Sequence, residues 1–334
     1  MKIVQQLDEH LWREFVDNHP QGQIFHAPEM FQVFARAEGH RATLWAAVGD
    51  DGQVLALLLP VQITLLNGPL RYFTTRAIVY GSALCAPGPQ GQMALATLLD
   101  AYKRQVKGAP LFTELRNLSD LSDIQPVLKD SGFAYDEHLN FLIDLDQPEE
   151  TILKKISKSG RQSVRTSRNK GTVIEEVTEQ QKVRIAYRLL EPIYKKAQVP
   201  LADRTLFEAA FDIMAPRGMF KIFLARVDEH YIGACLVLAY KGRIIDWYAA
   251  SDRDFSSYCP GEFLIWHTLQ WGRQNHCHLF DFGGAGRPNE PYGPREFKSK
   301  FGGTLVNYGR NIFVHAPLKL KLSQVGYQLL RRFL

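Results

Sequence analysis

One order of elements occurs twice in this sequence, and it limits the folds available. LWAAVGDDGQVLALLLPVQI (44–63) reads as two apolar strands joined at Gly49-Asp50-Asp51-Gly52. A strand candidate, RYFTTRAIVYG, follows; Pro87-Gly88-Pro89 breaks the chain; ALATLLDAYKRQV has helical apolar spacing; and LFTEL (111–115) supplies another strand. The second half repeats this. FKIFLARVDEHYIGACLVLAY (220–240) is a hairpin turning near Asp228-Glu229-His230, RIIDWYAAS is a strand, Pro260-Gly261 breaks the chain, EFLIWHTLQWGRQ is helical, and HLFDF (278–282) closes the copy as a strand. The order predicts a duplicated module of the α/β (α+β) class, with antiparallel-rich mixed sheets flanked by helices.

The first copy is expected over 1–145 and the second over 146–316, because apolar FLIDL gives way to DQPEE near Asp144 to Pro148 and a helix begins there. Glu149 and Glu150 suit the positive end of that helix's dipole. PLKLKLSQVGYQLLRRFL (317–334) is an amphipathic helix able to pack back on the first copy, and its basic end could touch anionic lipid. At 334 residues, two domains are the natural division. Composition is that of an ordinary globular chain, 46% hydrophobic and 22% charged, which excludes a disordered polyelectrolyte. A net charge of +5 permits a polyanionic partner without requiring one.

The N-terminal MKIVQQLDEHLWREF lacks a secretory pattern, and no segment approaches eighteen uncharged apolar residues. Cys85, Cys235, Cys259 and Cys277 form no CxxC pair, so neither a zinc ribbon nor a disulfide framework is expected, and a reducing cytoplasm fits. His276-Cys277-His278 has ligand residue types, but on a strand Cys277 would point away from both neighbours. No metal is therefore expected.

TILKKISKSGRQSVRTSRNKG (151–171) carries seven Lys or Arg and no acid. Read as one helix, it places Leu153, Ile156, Gly160 and Val164 on an apolar stripe, with Lys154, Lys158, Arg161, Arg165 and Arg168 beside it. Like charges at this spacing cost roughly 0.2–0.5 kcal/mol per pair unless an anion relieves them. Lys158, Arg161 and Arg165 are the candidate phosphate contacts, the arginines because a guanidinium grips phosphate in bidentate fashion. The alternative is a solvated helix face.

DFGGAGRPNEPYGPREFKSKFGG (281–303) combines glycine, proline and lysine. It follows a strand, as a phosphate loop would. It lacks GKS or GKT, however, and Pro288 interrupts any helix, so neither a P-loop nor a dinucleotide fingerprint is expected.

Together, KxxxSxxRQSVRxSxxKG at the start of the second half, DWYAAS before a Pro-Gly helix start, and FDFGG followed by EFKSKFGG resemble the FemAB family. These are aminoacyltransferases of two tandem GNAT-like domains that add amino acids to peptidoglycan precursors. The resemblance covers the second half by motif and the first by element order and length, as a short form without a coiled-coil arm. It implies an aminoacyl-tRNA donor, an amine acceptor on a cell-wall precursor, cytoplasmic work with peripheral contact at the inner membrane surface, and no cofactor. Phe297 and Lys298 match the family's Phe-Lys site, which implies that Lys298 polarises the ester carbonyl or holds the donor's terminal phosphate or ribose. Lys300, two residues on, cannot share that direction on a helix. Tyr248 matches an aromatic position lining the acceptor site. Asp281 and Tyr292, flanking the glycine-rich turn, are further substrate-contact candidates. Where relatives end a first-domain strand with Asp-Pro, this chain has TELRN, which puts the general base in doubt. Glu114, on the same strand face as Arg116, is the candidate base, and Arg116 a candidate substrate contact.

Two other readings stay open. A coenzyme-A-dependent N-acyltransferase would share the fold, but it typically holds pyrophosphate on a glycine-rich helix start. SSYCPGEFLIW offers one glycine, a proline and Glu262 there, and APGPQGQMA in the first copy is no closer. A non-enzymatic polyanion binder would use the 154–170 cations and leave EFKSKFGG unexplained.

Overall fold

The computed structural model describes residues 1–66, 68–106 and 110–330. The RRFL end of the amphipathic helix lies outside the described residues. The chain forms two compact units, Met1–Glu137 with Tyr308–Leu334, and His138–Asn307. They divide at 137/138 and 307/308 rather than at the expected 145/146 and 316/317. Leu139–Asp144 pairs with Leu279–Asp281 and Thr304–Asn307 in the second unit, whereas Arg310–Val314 pairs with Phe112–Arg116 in the first.

Among the described residues, the first unit holds two sheets. The four-stranded one runs Lys2–Val4, Trp45–Val48, Val54–Leu58, Leu84–Cys85. The six-stranded one runs His40–Ala42, Val61–Thr64, Thr75–Tyr80, Phe112–Arg116, Arg310–Val314, Ala134–Asp136. The 44–63 segment is thus three strands, not two. Pro60, which has no N–H to give a ladder, ends one sheet, and Val61–Thr64 starts in the other. RYF, expected to open the third strand, closes a 3-10 helix over Gly68–Phe73, and the strand begins at Thr75. The helix Pro89–Gln105 buries Ala94, Leu95, Leu98, Leu99 and Tyr102 in one core cluster with Trp45, Val79 and Leu115.

The second unit is one seven-stranded sheet, in the order Val173–Glu176, Phe220–Val227, His230–Tyr240, Arg243–Ser251, Leu279–Asp281, Leu139–Asp144, Thr304–Asn307. Only Arg243–Ser251 and Leu279–Asp281 run parallel. Its core gathers Phe223, Cys235, Ile244, Leu264, Leu269, Phe280 and Phe301. The basic segment is two helices, Glu149–Lys155 and Lys158–Asn169, because Ile156 is extended and the Ser157 hydroxyl caps the second by accepting from Gly160 N at 3.1 Å. The continuous cationic stripe is therefore broken between Lys154 and Lys158. Ser157→Ala should lower stability by about 1 kcal/mol, read as a lower denaturant midpoint with unchanged slope. His276 to His278 is not a strand either: His276 has φ 58°, and Cys277 N closes the preceding helix onto Gly272 O at 2.9 Å.

Candidate active site in the second unit

The parallel pair supplies the opening. Its register runs Arg243 with Leu279, Ile244 with Phe280, and Ile245 with Asp281, and stops there. Leu279–Asp281 then turns away, while Arg243–Ser251 continues with only His230–Tyr240 beside it. A crevice beyond the carboxyl ends of parallel strands is where ligands bind in sheets of this type. The first unit's parallel pair stays together to Tyr80 opposite Arg116, and Gly81 N carries the ladder on to Arg116 O at 3.0 Å.

At the parting point the long strand bulges. Leu236 faces Tyr248 and Val237 faces Asp246, so Trp247 is the extra residue. The bulge lets two successive rings reach the same neighbour: Trp247 lies 5.8 Å and Tyr248 4.8 Å from Phe207, with Tyr194 5.7 Å from Tyr248. Burial raises the Tyr194 hydroxyl's pKa, and the nearby Asp246 charge adds to that.

Asp246, just before the bulge, accepts a long contact from Cys235 Sγ at 3.7 Å. Burial pushes its carboxyl up to about 6, with Lys298's charge opposing the rise. Lys298 approaches from the helix Gly293–Ser299. Its ammonium donates to Phe282 O and Gly284 O, each at 2.7 Å, and stands 5.5 Å from the centre of the Phe282 ring. Burial lowers its pKa, while Asp246 and Asp281 pull it back up. Two of the three ammonium donors are thus spent on the glycine turn, leaving one.

The glycine-rich turn does not cradle phosphate. Gly283 N donates to Asp281 Oδ1 at 2.6 Å, Gly284 N to Asn140 Oδ1 at 2.9 Å, Phe282 N to Phe141 O at 3.1 Å and Ala285 N to Leu139 O at 2.6 Å. With the N–H groups of residues 282–285 satisfied inside the unit, this stretch offers no nest for an anion. Gly283 (φ 73°) and Gly284 (φ 141°) adopt backbone that other residues rarely take.

The other expected residues fall into distinct places. Asp281 is fully buried; it is ion-paired with Arg243 and accepts from Asn140 Nδ2 at 2.6 Å, so it braces the turn rather than facing the crevice. Tyr292 is exposed and packs over Gly286. Phe297 stacks edge-on against Phe301 at 5.4 Å and lies beside Gly261 at the start of the helix Pro260–Gln274. Lys300 pairs with Glu262 at 3.0 Å on that helix's first turn. Arg161 donates to Lys154 O at 3.1 Å and to Ile156 O, capping the end of the preceding helix, whereas Lys158 and Arg165 are exposed. Glu114 and Arg116 belong to the first unit. Arg116 Nε and Arg310 Nη1 hold Glu114 Oε1 at 2.7 and 2.8 Å. Burial works to raise the Glu114 carboxyl, but the guanidiniums of Arg116, Arg310 and Arg76 outweigh it and keep its pKa low, a poor setting for a base. Asp246, Tyr194 and Asn140 are the residues sequence reasoning passed over. A lone carboxylate inside RIIDWYAAS was the available signal for the first.

Residues 158–299 match a family model described as an acetyltransferase (GNAT) domain. No curated protein matches the chain by sequence. Among solved structures, FemX is similar at 16% identity and a TM-score of 0.73, over 97% of this chain and 100% of that one. The C-terminal domain of a putative lysylphosphatidylglycerol synthetase from Agrobacterium fabrum is similar at 13% identity and 0.57, covering 96% of each. A tandem GNAT protein from the clavulanic acid biosynthesis pathway is similar at 13% and 0.58, over 94% of this chain and 98% of that one. At these identities the likeness is one of fold. The chain has a tandem GNAT-like fold, and the FemAB resemblance holds at that level.

Proposed function

We propose that this chain is an aminoacyltransferase that moves an amino acid from aminoacyl-tRNA to an amine of a peptidoglycan precursor or a similar cell-envelope acceptor. The observation that carries the reading is the parting of the parallel strands beyond Ile245 and Asp281, where Asp246, pushed up to about 6 by burial, feels the charge of the Lys298 ammonium, which has one donor left. Asp246 would take a proton from the acceptor's ammonium, the freed amine would attack the ester carbonyl, and the remaining Lys298 N–H would meet the developing oxyanion. That attack forms the C–N bond; as the ester C–O bond breaks, the departing ribose oxygen takes the surplus proton shed by the new amide nitrogen, and the proton first taken by Asp246 passes to water. The likeness to FemX, and to a synthetase whose name joins a lysyl group to a lipid headgroup, favours an aminoacyl rather than an acetyl group.

Coenzyme A is the second reading, because the matching family model is one of acetyltransferases. Against it stands the start of the Pro260–Gln274 helix, where Glu262 already answers the helix dipole and Lys300 covers the carboxylate. Purified protein should bind charged tRNA and transfer its amino acid, with no heat of binding for acetyl-coenzyme A; tight coenzyme A binding without a tRNA response would overturn the proposal. Lys298→Ala should keep tRNA binding while transfer falls about 10²–10³-fold. Loss of binding together with transfer would make Lys298 a docking group only. The exposed Lys158 and Arg165 fit tRNA phosphate contact, so Arg165→Ala should weaken tRNA binding and flatten its salt dependence by about one charge.

A further inference from the structure

Seventeen large apolar side chains stand exposed among the described residues, and eight of them lie in two short segments of the first unit. One segment, 65–73, exposes Leu66, Leu70 and Tyr72; the other, the helix Pro317–Leu330, exposes Leu318, Leu322 and Val325. The fold joins these segments from opposite ends of the sequence. Ser323 Oγ donates to Phe73 O at 2.6 Å, and Lys319 Nζ stands 5.9 Å from the Tyr72 ring centre. On the helix, positions 318, 322 and 325 make one stripe, flanked by Lys319 and Lys321. Leu318 is 81% and Leu322 63% exposed, so the stripe is not the side that packs on the unit. Arg71 adds a third cation within the 65–73 segment.

Apolar surface concentrated in this way marks an interaction face, and its charge selects the partner. No Asp or Glu occurs in 52–99 or in 297–334, so the interleaved charge on both segments is wholly positive. A second copy of the same face would bring like charges together. An anionic lipid surface supplies what the face lacks, acyl chains for the leucines and headgroup charge for the cations. We propose that this face seats the first unit on an anionic phospholipid membrane. No helix among the described residues is long and apolar enough to cross one, so the contact is interfacial.

The test is sedimentation of the intact protein with phosphatidylglycerol-containing vesicles and with pure phosphatidylcholine vesicles. Partitioning should favour the anionic vesicles by about tenfold or more and weaken with salt. Leu318→Ser with Leu322→Ser should lose about tenfold or more, as should Arg71→Glu with Lys319→Glu, while Leu11→Ser, an exposed leucine elsewhere, should change nothing. Each variant's melting temperature checks its folding; the leucine pair lies on the helix and the charge pair spans both segments, so either can decide. Absence of vesicle binding, or binding indifferent to both pairs, would overturn the proposal. So would a dimer that the leucine pair dissolves, since the face would then belong to a second copy. None of these outcomes depends on aminoacyl transfer.

Discussion

Asp246→Asn is expected to lower kcat/KM for aminoacyl transfer by about 10²–10⁴-fold while the protein stays folded. An acceptor amine in water at neutral pH is mostly ammonium and cannot attack, so the site must take its proton as it binds. A carboxyl at its ordinary value would be too weak a base. Burial lifts Asp246 to about 6, close to working pH, and the parallel pairing stops one residue before it. The wild-type rate should rise as pH passes through about 6, and that limb should vanish in the variant. Stability supplies a second readout. A carboxyl raised in the folded state binds its proton more tightly there than in the unfolded chain. Its contribution is full below the unfolded value of 3.8 and is lost as pH rises through about 6. Asp246→Asn should therefore melt higher than wild type at pH 8, and the difference should close toward pH 4. A variant with an intact rate and an unshifted acid limb would remove Asp246 from the chemistry, whatever its melting temperature does.

What could be read from the sequence follows from which features are local. Both hairpin turns, the two Pro-initiated helices and the strands after them are written in turn residues and apolar period, and they form where expected, whereas the break at Pro60 was not foreseen. Sheet membership is not local. Nothing in LNFLID or RNIFV says that the first strand pairs within the second unit and the other within the first; that depends on partners up to about 170 and 200 residues away, such as Asn307 for Leu139 and Thr113 for Phe313. The split of the basic segment was visible in principle, since Ser157 stands three residues before Gly160 as an N-cap should, but the uniform charge pattern drew attention to a single stripe. Lys298 could be picked out by its motif. The two carbonyls it holds could not, because they appear only once the glycine turn has folded over it. Asp246 was legible as an odd acid in an apolar strand, yet its meaning rests on a parallel register that ends at the residue before it.

Asp281→Ala should be among the most damaging single changes to stability, costing about 3–5 kcal/mol and shifting the denaturant midpoint accordingly. The side chain is fully buried and holds three partners: the Arg243 guanidinium, Asn140 Nδ2 and Gly283 N. Alanine would take the carboxylate from a mostly buried guanidinium and leave two further donors without their acceptor. The loss would also travel to the site. Asn140 orients its carbonyl oxygen toward Gly284 N, and the Phe282 and Gly284 carbonyls fix Lys298, so a loosened turn releases the ammonium from the two carbonyls that hold it. Stability and activity can be separated. Asp281→Leu with Arg243→Leu removes both charges and should recover much of the lost stability, since an apolar pair often replaces a buried ion pair at little cost. It cannot give Gly283 N or Asn140 an acceptor, so transfer should stay depressed. Recovery of both together would mean that the crevice needs only a filled core behind it, and that the hydrogen-bonded path from Asp281 through the turn to Lys298 plays no part in positioning the ammonium.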